Sequence, residues 1–187
     1  MVHTKIRPQV LLHICCAPDS TTVVERLREH YRVTGYFHNP NIAPPQEYER
    51  RSREACEVAR RMGFPIIIPA YHPESWYDYI KGLEDEPEKG RRCELCFRFN
   101  LRAAAGKTRE LKIPDFTTTL TISPHKDSQL IIRIGKEAAK EFGVNYLDFD
   151  FKKKHGFQRS LELSRQFSLY RQNYCGCRFS MRNEKSS

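Results

Sequence analysis

Six of the chain's seven cysteines fall in three close pairs: Cys15-Cys16, Cys93-x-x-Cys96 and Cys175-Gly176-Cys177. Cys93 and Cys96 stand at i and i+3 near a predicted helix start. One helical face then presents both sulfurs, and the free amides and macrodipole of that end favour thiolates. Alone, such a CxxC suits zinc, an iron–sulfur cluster or dithiol exchange. Cys15 and Cys16 are adjacent and would point to opposite faces of an extended strand, so they meet one centre only where the chain turns. Cys175 and Cys177 flank one glycine. A disulfide there closes a very small ring whose strain makes it easy to reduce, so the pair reads as redox-active or as further metal ligands. Cys56 stands alone in an amphipathic stretch beside Ala55 and Ala59 and is expected to be a structural cysteine. Four thiolates from two pairs suit zinc or a [4Fe–4S] cluster. Zinc explains a fold-stabilising site but not the third pair; the redox reading uses all six cysteines and is preferred.

These pairs lie far apart in sequence, so a scaffold must gather them. An apolar run at 9–14 (QVLLHI) ends at the first pair, and Asp19-Ser20 is placed to cap a helix reaching about residue 30. Further strands are expected at 32–38, 65–69, 116–122 and 146–149. Helices are expected from Pro44-Pro45 to about 62, from about 93 to 105, over 127–142 and over 156–170, with Gly63 and Gly143 as stops. Residues 72–92 read as irregular. Strand–helix alternation at this spacing implies a parallel α/β sheet with helices on both faces. In such sheets the site lies outside the carboxyl ends of the strands, at the switch point where strand order reverses. The first strand flanks that point, and its carboxyl end is Cys15-Cys16-Ala17-Pro18-Asp19-Ser20. No repeat or low-complexity tract interrupts the pattern.

Charge adds a partner class. Of a formal +9, residues 1–150 hold 23 basic and 21 acidic residues, a net of +2, while residues 151–187 hold 9 and 2, a net of +7. The division expected is a core at 1–150 carrying the metal site and a basic C-terminal helix and CGC segment at 151–187 packed on the same domain. A near-neutral body with a basic end points to a polyanion, most commonly nucleic acid. No stretch approaches the ~20 apolar residues of a membrane span. The leading residues lack a signal-peptide layout, so a cytoplasmic, reducing location is expected, where clustered cysteines serve metal or redox chemistry.

LLHICCAPDS (11–20), RRCELCFRF (91–99), FTTTLTISPHKD (116–127), DFKKKHGFQRS (150–160) and LYRQNYCGC (169–177) resemble, in one order through most of the chain, the QueH-type epoxyqueuosine reductases. The resemblance implies a HUP-like, Rossmann-type sheet and an enzyme of tRNA queuosine biosynthesis. Such an enzyme reduces the epoxide of epoxyqueuosine to queuosine, releasing the oxygen as water, without cobalamin. Carried over by motif, Cys15, Cys16, Cys93 and Cys96 match the family's iron–sulfur cysteines, and Cys175 and Cys177 its redox-active, disulfide-forming pair. CCAPDS stands where related ATP pyrophosphatases carry a glycine-rich phosphate loop; it has no glycines to cradle phosphate, which argues against ATP use.

Asp19 is expected to depart from relatives that carry cysteine there. As a harder ligand it suits Fe(II), such as a second iron, or water, or it is only a helix cap. His13 and His125 are candidate acids for the leaving oxygen, His13 with a core role as its alternative. Lys152, Lys153, Lys154, His155, Arg159, Arg165 and Arg171 are candidate phosphate contacts, and Tyr170 and Tyr174 candidate stacking platforms. Arg91-Arg92 would add anion contacts or tune the cluster. An electron donor is required and is not identified by sequence. The competing classes are a zinc-stabilised RNA-binding module, a metal-free thiol-disulfide oxidoreductase and a PP-loop-like sulfurtransferase.

Overall fold

The computed structural model describes residues 7–181; residues 1–6 and 182–187 of the two expected segments lie outside the described residues. The elements are β1 (Gln9–His13), α1 (Ala17–Leu27), β2 (Arg32–Tyr36), α2 (Pro45–Met62), β3 (Ile66–Ile67), α3 (Pro73–Tyr79), α4 (Arg91–Glu110), β4 (Asp115–Thr118), α5 (Ser128–Phe142), β5 (Asn145–Tyr146) and α6 (Gly156–Gln166). The five strands form one parallel sheet in the order β3-β2-β1-β4-β5. Chain order therefore reverses at β1, whose His13 lies opposite Tyr36 on one side and Thr118 on the other.

The period of β1 shows why both faces are covered. Val10 and Leu12 pack with Val23, Val24 and Leu27 of α1 and Ala55, Val58 and Ala59 of α2. Leu11 packs on the opposite face with Leu101, Ala104 and Ala105 of α4 and Ile131, Ile134 and Ala138 of α5. A strand buried on both sides reads as a continuous apolar run, as QVLLHI does. Gly63 and Gly143 end α2 and α5 in the left-handed conformation, at φ 65° and 67°. Asp127 Oδ1 caps α5 by accepting from the amides of Gln129 at 2.9 Å and Leu130 at 3.2 Å. Beyond β5, α6 lies on α1: Arg26 donates to the carbonyls of Phe151, Lys153 and Lys154, and Arg159 pairs with Glu25 at 2.8 Å. Among the described residues no helix is long and apolar enough to cross a membrane.

Several expected bounds are corrected. The stretch at 116–122 is not one strand: the Thr118 hydroxyl accepts from Leu120 N at 3.1 Å and starts a 3-10 turn over Thr119–Ile122. The strand expected at 65–69 pairs only at Ile66–Ile67, and that at 146–149 shifts to Asn145–Tyr146. The irregular 72–92 stretch contains α3, which Pro73 opens at a first-turn position needing no amide donor. The cap of α1 is Cys16, not Asp19, which sits in the first helical turn, where the macrodipole favours its charge. Cys56 is solvent-exposed rather than core-side, because it lies about 100° around α2 from Ala55.

Candidate redox and metal site

The turn from β1 into α1 forms one sulfur-rich corner. Thr119, from the 3-10 turn after β4, accepts from Cys15 N at 3.0 Å and donates to Cys15 Sγ at 3.0 Å. Cys15 Sγ lies 4.0 Å from Cys16 Sγ and 3.7 Å from Asp19 Oδ2. The ligand atoms of Cys15, Cys16 and Asp19 all lie within 4.8 Å of one another, and among the described residues this is the only such group of three or more. The hydrogen bond between the two thiols lowers Cys15 against the opposition of burial and Asp19, and the same bond with burial raises Cys16. Half-buried Lys126, from the loop between β4 and α5, faces this corner. Burial opposes its charge, but the summed attraction of Cys175, Cys15, Asp19 and Cys16 prevails and holds the ammonium firmly protonated.

The second corner is built from α3, α4 and the chain after α6. Buried Arg92 donates to the carbonyls of Leu83 at 3.1 Å and Glu84 at 2.9 Å, and to that of Glu86, which fixes the turn leading into α4. Cys93 Sγ accepts from Lys89 N at 3.2 Å. One turn on, Asn100 Nδ2 donates to the Cys96 carbonyl at 3.0 Å and lies 3.6 Å from its sulfur. Cys177 is buried and packs with Trp76 and Ile80. Burial, then repulsion from Cys175 and Cys177, raises the Cys93 thiol and raises Cys96 much further. In the iron-free protein these thiols are therefore kept neutral.

The Cys175–Cys177 segment is pinned. Buried Arg51, itself paired with Glu47 at 2.7 Å, donates to the carbonyls of Cys175 at 3.0 Å and Tyr174 at 3.3 Å. Ala43 N donates to Gly176 O at 2.9 Å, and Tyr174 Oη donates to Ala43 O at 2.6 Å. Gly176 has φ +145°, and a Cβ there would sit 3.1 Å from Ile42 Cγ1 and 3.2 Å from Arg51 Nη1, so glycine is required. Cys175 is exposed, and all seven cysteines are free thiols; the expected Cys175–Cys177 disulfide is not formed.

A cavity of about 430 Å³ joins the corners, with Cys15, Asp19, Cys93, Cys96, Cys175 and Cys177 in its wall; Cys16 lies buried behind Cys15. His13 also reaches it, but both ring nitrogens are engaged. Nε2 donates to the His38 carbonyl at 3.1 Å, leaving Nδ1 to accept from Thr118 Oγ1 at 2.9 Å, and burial lowers its pKa to about 4. His125 is exposed at the rim.

The candidate RNA contacts divide. Lys153 and Lys154 are exposed, Lys152 Nζ donates to the Lys126 carbonyl at 2.8 Å, and Arg171 lines the cavity. Arg159 is neutralised by Glu25 and Glu162. Tyr170 is covered by Arg50, 3.4 Å above its ring, and Tyr174 by Arg51 at 4.9 Å. Sequence reasoning missed Lys126, Trp76 and Asn100. Only Lys126 had a signal: it follows Ser123-Pro124-His125 beyond the second strand of the switch point.

A family model described as epoxyqueuosine reductase QueH matches residues 10–183. The epoxyqueuosine reductase QueH of Streptococcus pyogenes serotype M1 is 41% identical over 178 residues, spanning 92% of this chain and 70% of that protein. That of Thermotoga maritima is 38% identical over 181 residues, 94% and 93% of the two chains. Two solved structures share the fold. One is the U34-tRNA thiolase NcsA from Methanococcus maripaludis with its [4Fe-4S] cluster, at TM-score 0.57 and 14% identity over 95% of this chain and 62% of that one. The other is described as a predicted subunit of tRNA methyltransferase from Methanocaldococcus jannaschii, at TM-score 0.55 and 13% identity over 84% and 74%.

Proposed function

The chain belongs to the QueH family of epoxyqueuosine reductases, and from that premise we propose that it deoxygenates epoxyqueuosine in tRNA with its cavity cysteines, a [4Fe–4S] cluster and no cobalamin. The observation that carries the reading is the single cavity onto which Cys15, Cys93, Cys96, Cys175, Cys177 and Asp19 converge at the carboxyl edge of the sheet.

The donor set fits a cluster. Sulfurs that raise one another's pKa are relieved by a metal centre, which binds thiolates outright. Cys93 and Cys96 with Cys15 and Cys16 would hold it, and Asp19 would offer an oxygen to a second iron. The related fold of NcsA carries such a cluster. When bound, a [4Fe–4S] cluster supplies one-electron transfer and a Lewis-acidic iron.

The chain's own groups account for the rest of the balance. Expelling an epoxide oxygen as water consumes two electrons and two protons. Two thiols that become one disulfide release two electrons and two protons, so each turnover oxidises Cys175 and Cys177, and an external two-electron donor reduces them again. Lys126 favours the thiolate form of Cys175. His125 at the rim donates the proton to the leaving oxygen. His13, with both nitrogens engaged, orients the β1 edge. Lys152, Lys153, Lys154 and Arg171 meet phosphates, with Arg159 and Tyr170 behind them as support, and the reaction takes place in the cytoplasm.

The test is anaerobic conversion of an epoxyqueuosine-containing anticodon stem-loop in a cobalamin-free mixture, followed by nucleoside mass analysis. Queuosine is expected to form only with iron-loaded protein. Formation by iron-free protein, or only when cobalamin is added, overturns the reading.

A further inference from the structure

The turn after β2 carries His38-Asn39-Pro40-Asn41, a run that no assigned step uses. Asn39 and Asn41 are 4% and 7% exposed, and both line the cavity. Burying a side-chain amide is costly unless its donors and acceptor find partners. The hydrogen bonds present fix which way each amide faces. The Cys96 carbonyl only accepts, so Asn100 directs Nδ2 to it at 3.0 Å and Oδ1 to His38 Nδ1 at 3.1 Å. The same Nδ2 donates to Asn41 Oδ1 at 3.1 Å, which leaves Asn41 Nδ2 with no partner among the described residues. Asn39 is held the other way round: its Nδ2 donates to the Ile14 carbonyl at 2.8 Å, and its Oδ1 is left without a partner. Neither atom is among the unpaired polar atoms sealed inside the protein. One uncommitted donor and one uncommitted acceptor are thus held at the cavity wall by a fully committed neighbour.

We propose that Asn41 Nδ2 and Asn39 Oδ1 bind the substrate by its ring hydroxyls: the Asn41 amide donates to one hydroxyl oxygen, and the Asn39 amide oxygen accepts from another hydroxyl. Position favours the hydroxyls over the base. Gly176 stands between the two redox cysteines, and a Cβ there would lie 3.5 Å from Asn41 Nδ2, so this donor sits beside the dithiol. In epoxyqueuosine the epoxide and two hydroxyls share one cyclopentane ring, while the base is joined through an aminomethyl arm. A ring held with its epoxide at the cysteines therefore presents a hydroxyl, not the base, to this amide. A hydroxyl both donates and accepts, so a free donor and a free acceptor together match a pair of them. The same groups reject a ligand lacking the hydroxyls, because they would then stay buried and unpaired. The identity of the ring rests on the deoxygenation reading; the orientation of the two amides does not.

The test compares two anticodon stem-loops by fluorescence anisotropy on anaerobically prepared protein at fixed salt. One carries queuosine, which keeps both hydroxyls but has no epoxide oxygen. In the other the wobble base ends at the aminomethyl arm, without the ring. Taking the ratio of the two affinities on one preparation cancels any change in general RNA binding. Wild-type protein is expected to bind the queuosine stem-loop at least about tenfold more tightly, and Asn41→Ala or Asn39→Ala to lose about tenfold of that preference. Asn41→Asp keeps the oxygen that Asn100 bonds but exchanges the free donor for an acceptor; it should lose the preference too, and it takes the place of Asn41→Ala if the alanine variant does not fold. Equal binding of the two stem-loops by wild type, or a preference retained in both Asn41→Asp and Asn39→Ala, overturns the proposal. So does equal weakening of both stem-loops in Asn41→Asp, which would place this amide on the base or the backbone. Wild type that shows the preference yet converts no epoxyqueuosine would support hydroxyl recognition and refute the deoxygenation reading alone.

Discussion

The two corners of the cavity gather sulfur in opposite electrostatic surroundings. At the β1–α1 turn, Cys15 has a sulfur partner in Cys16, the Lys126 ammonium facing it and a hydroxyl donor in Thr119, which together pull its thiol down. At the α4 corner, Cys96 and Cys177 lie against Trp76 and Ile80, and the guanidinium of neighbouring Arg92 is spent on backbone carbonyls. There burial and mutual repulsion keep the thiols neutral. A corner that collects sulfurs it cannot keep charged is prepared for an added cation; a corner with its own lysine is not dependent on one. On the proposed reading, metal dependence falls chiefly at Cys93 and Cys96.

Substitution at the α4 corner tests that contrast most severely. Cys93→Ser or Cys96→Ser should abolish most iron binding and lower reductase activity by at least about 100-fold, since even partners behind a metal ligand matter by roughly 10–100-fold. Iron and sulfide analysis reads the first, and full loading in both variants breaks the comparison. Cys177→Ser should keep iron and the visible spectrum but fail in multiple turnover, because a lone thiol cannot close an internal disulfide. Lost iron would make the pair ligands instead.

Arg51→Ala sharpens the comparison from behind. It leaves half-buried Glu47 with only the Tyr170 hydroxyl as a partner and frees the carbonyls of Tyr174 and Cys175. A loss of about 3 kcal/mol in urea unfolding is expected, with poor recovery in Arg51→Lys, which lacks the guanidinium fork.

Lys126→Ala addresses the polar corner. The Cys175 thiol is pulled down by Lys126, but desolvation and repulsion from Cys177, Cys15 and Glu88 leave it above its ordinary value. Removing the lysine should move the alkylation midpoint of Cys175 in iron-free protein to still higher pH, and a downward move contradicts the assignment. The sign also fixes a stability trend. A thiol that titrates higher in the folded protein than in the unfolded chain favours folding below the ordinary thiol pKa, and that contribution is lost as pH rises through the folded value. The smallest effect is expected at the rim, where Lys152, Lys153 and Lys154 changed together to Ala should reduce the slope of log affinity against log salt for a stem-loop by about 2.

The sheet was legible because its signals are local. QVLLHI is apolar throughout, as a two-face-buried strand must be, and Asp127 and Gly143 bracket α5 as cap and stop. The 116–122 run misled because β-branched threonines favour strands, while the turn at Thr118 is made by its own hydroxyl. Cys56 misled because a neighbour of a core residue on a helix lies a quarter-turn away from it. In the cavity, the cysteine pairs could be read from spacing. Trp76, Asn100 and Lys126 could not, since each matters only through a partner brought up by the fold: buried Cys177 for the first, the Cys96 carbonyl for the second, the Cys15 corner for the third. Arg159, counted among the basic residues of the C-terminal segment, turned out to be compensated by Glu25, which lies 134 residues away in sequence.

The central claim is that one cavity assembles a cluster site at Cys93 and Cys96 beside a separate dithiol at Cys175 and Cys177. Its most direct measurement is iron, acid-labile sulfide and the visible spectrum of anaerobically prepared wild-type, Cys96→Ser and Cys177→Ser proteins, compared in one experiment. The account predicts close to four irons and four sulfides per chain with broad visible absorbance in the wild type and Cys177→Ser, and near-complete loss in Cys96→Ser. Colourless wild-type protein holding zinc, or equal iron in all three, would contradict it.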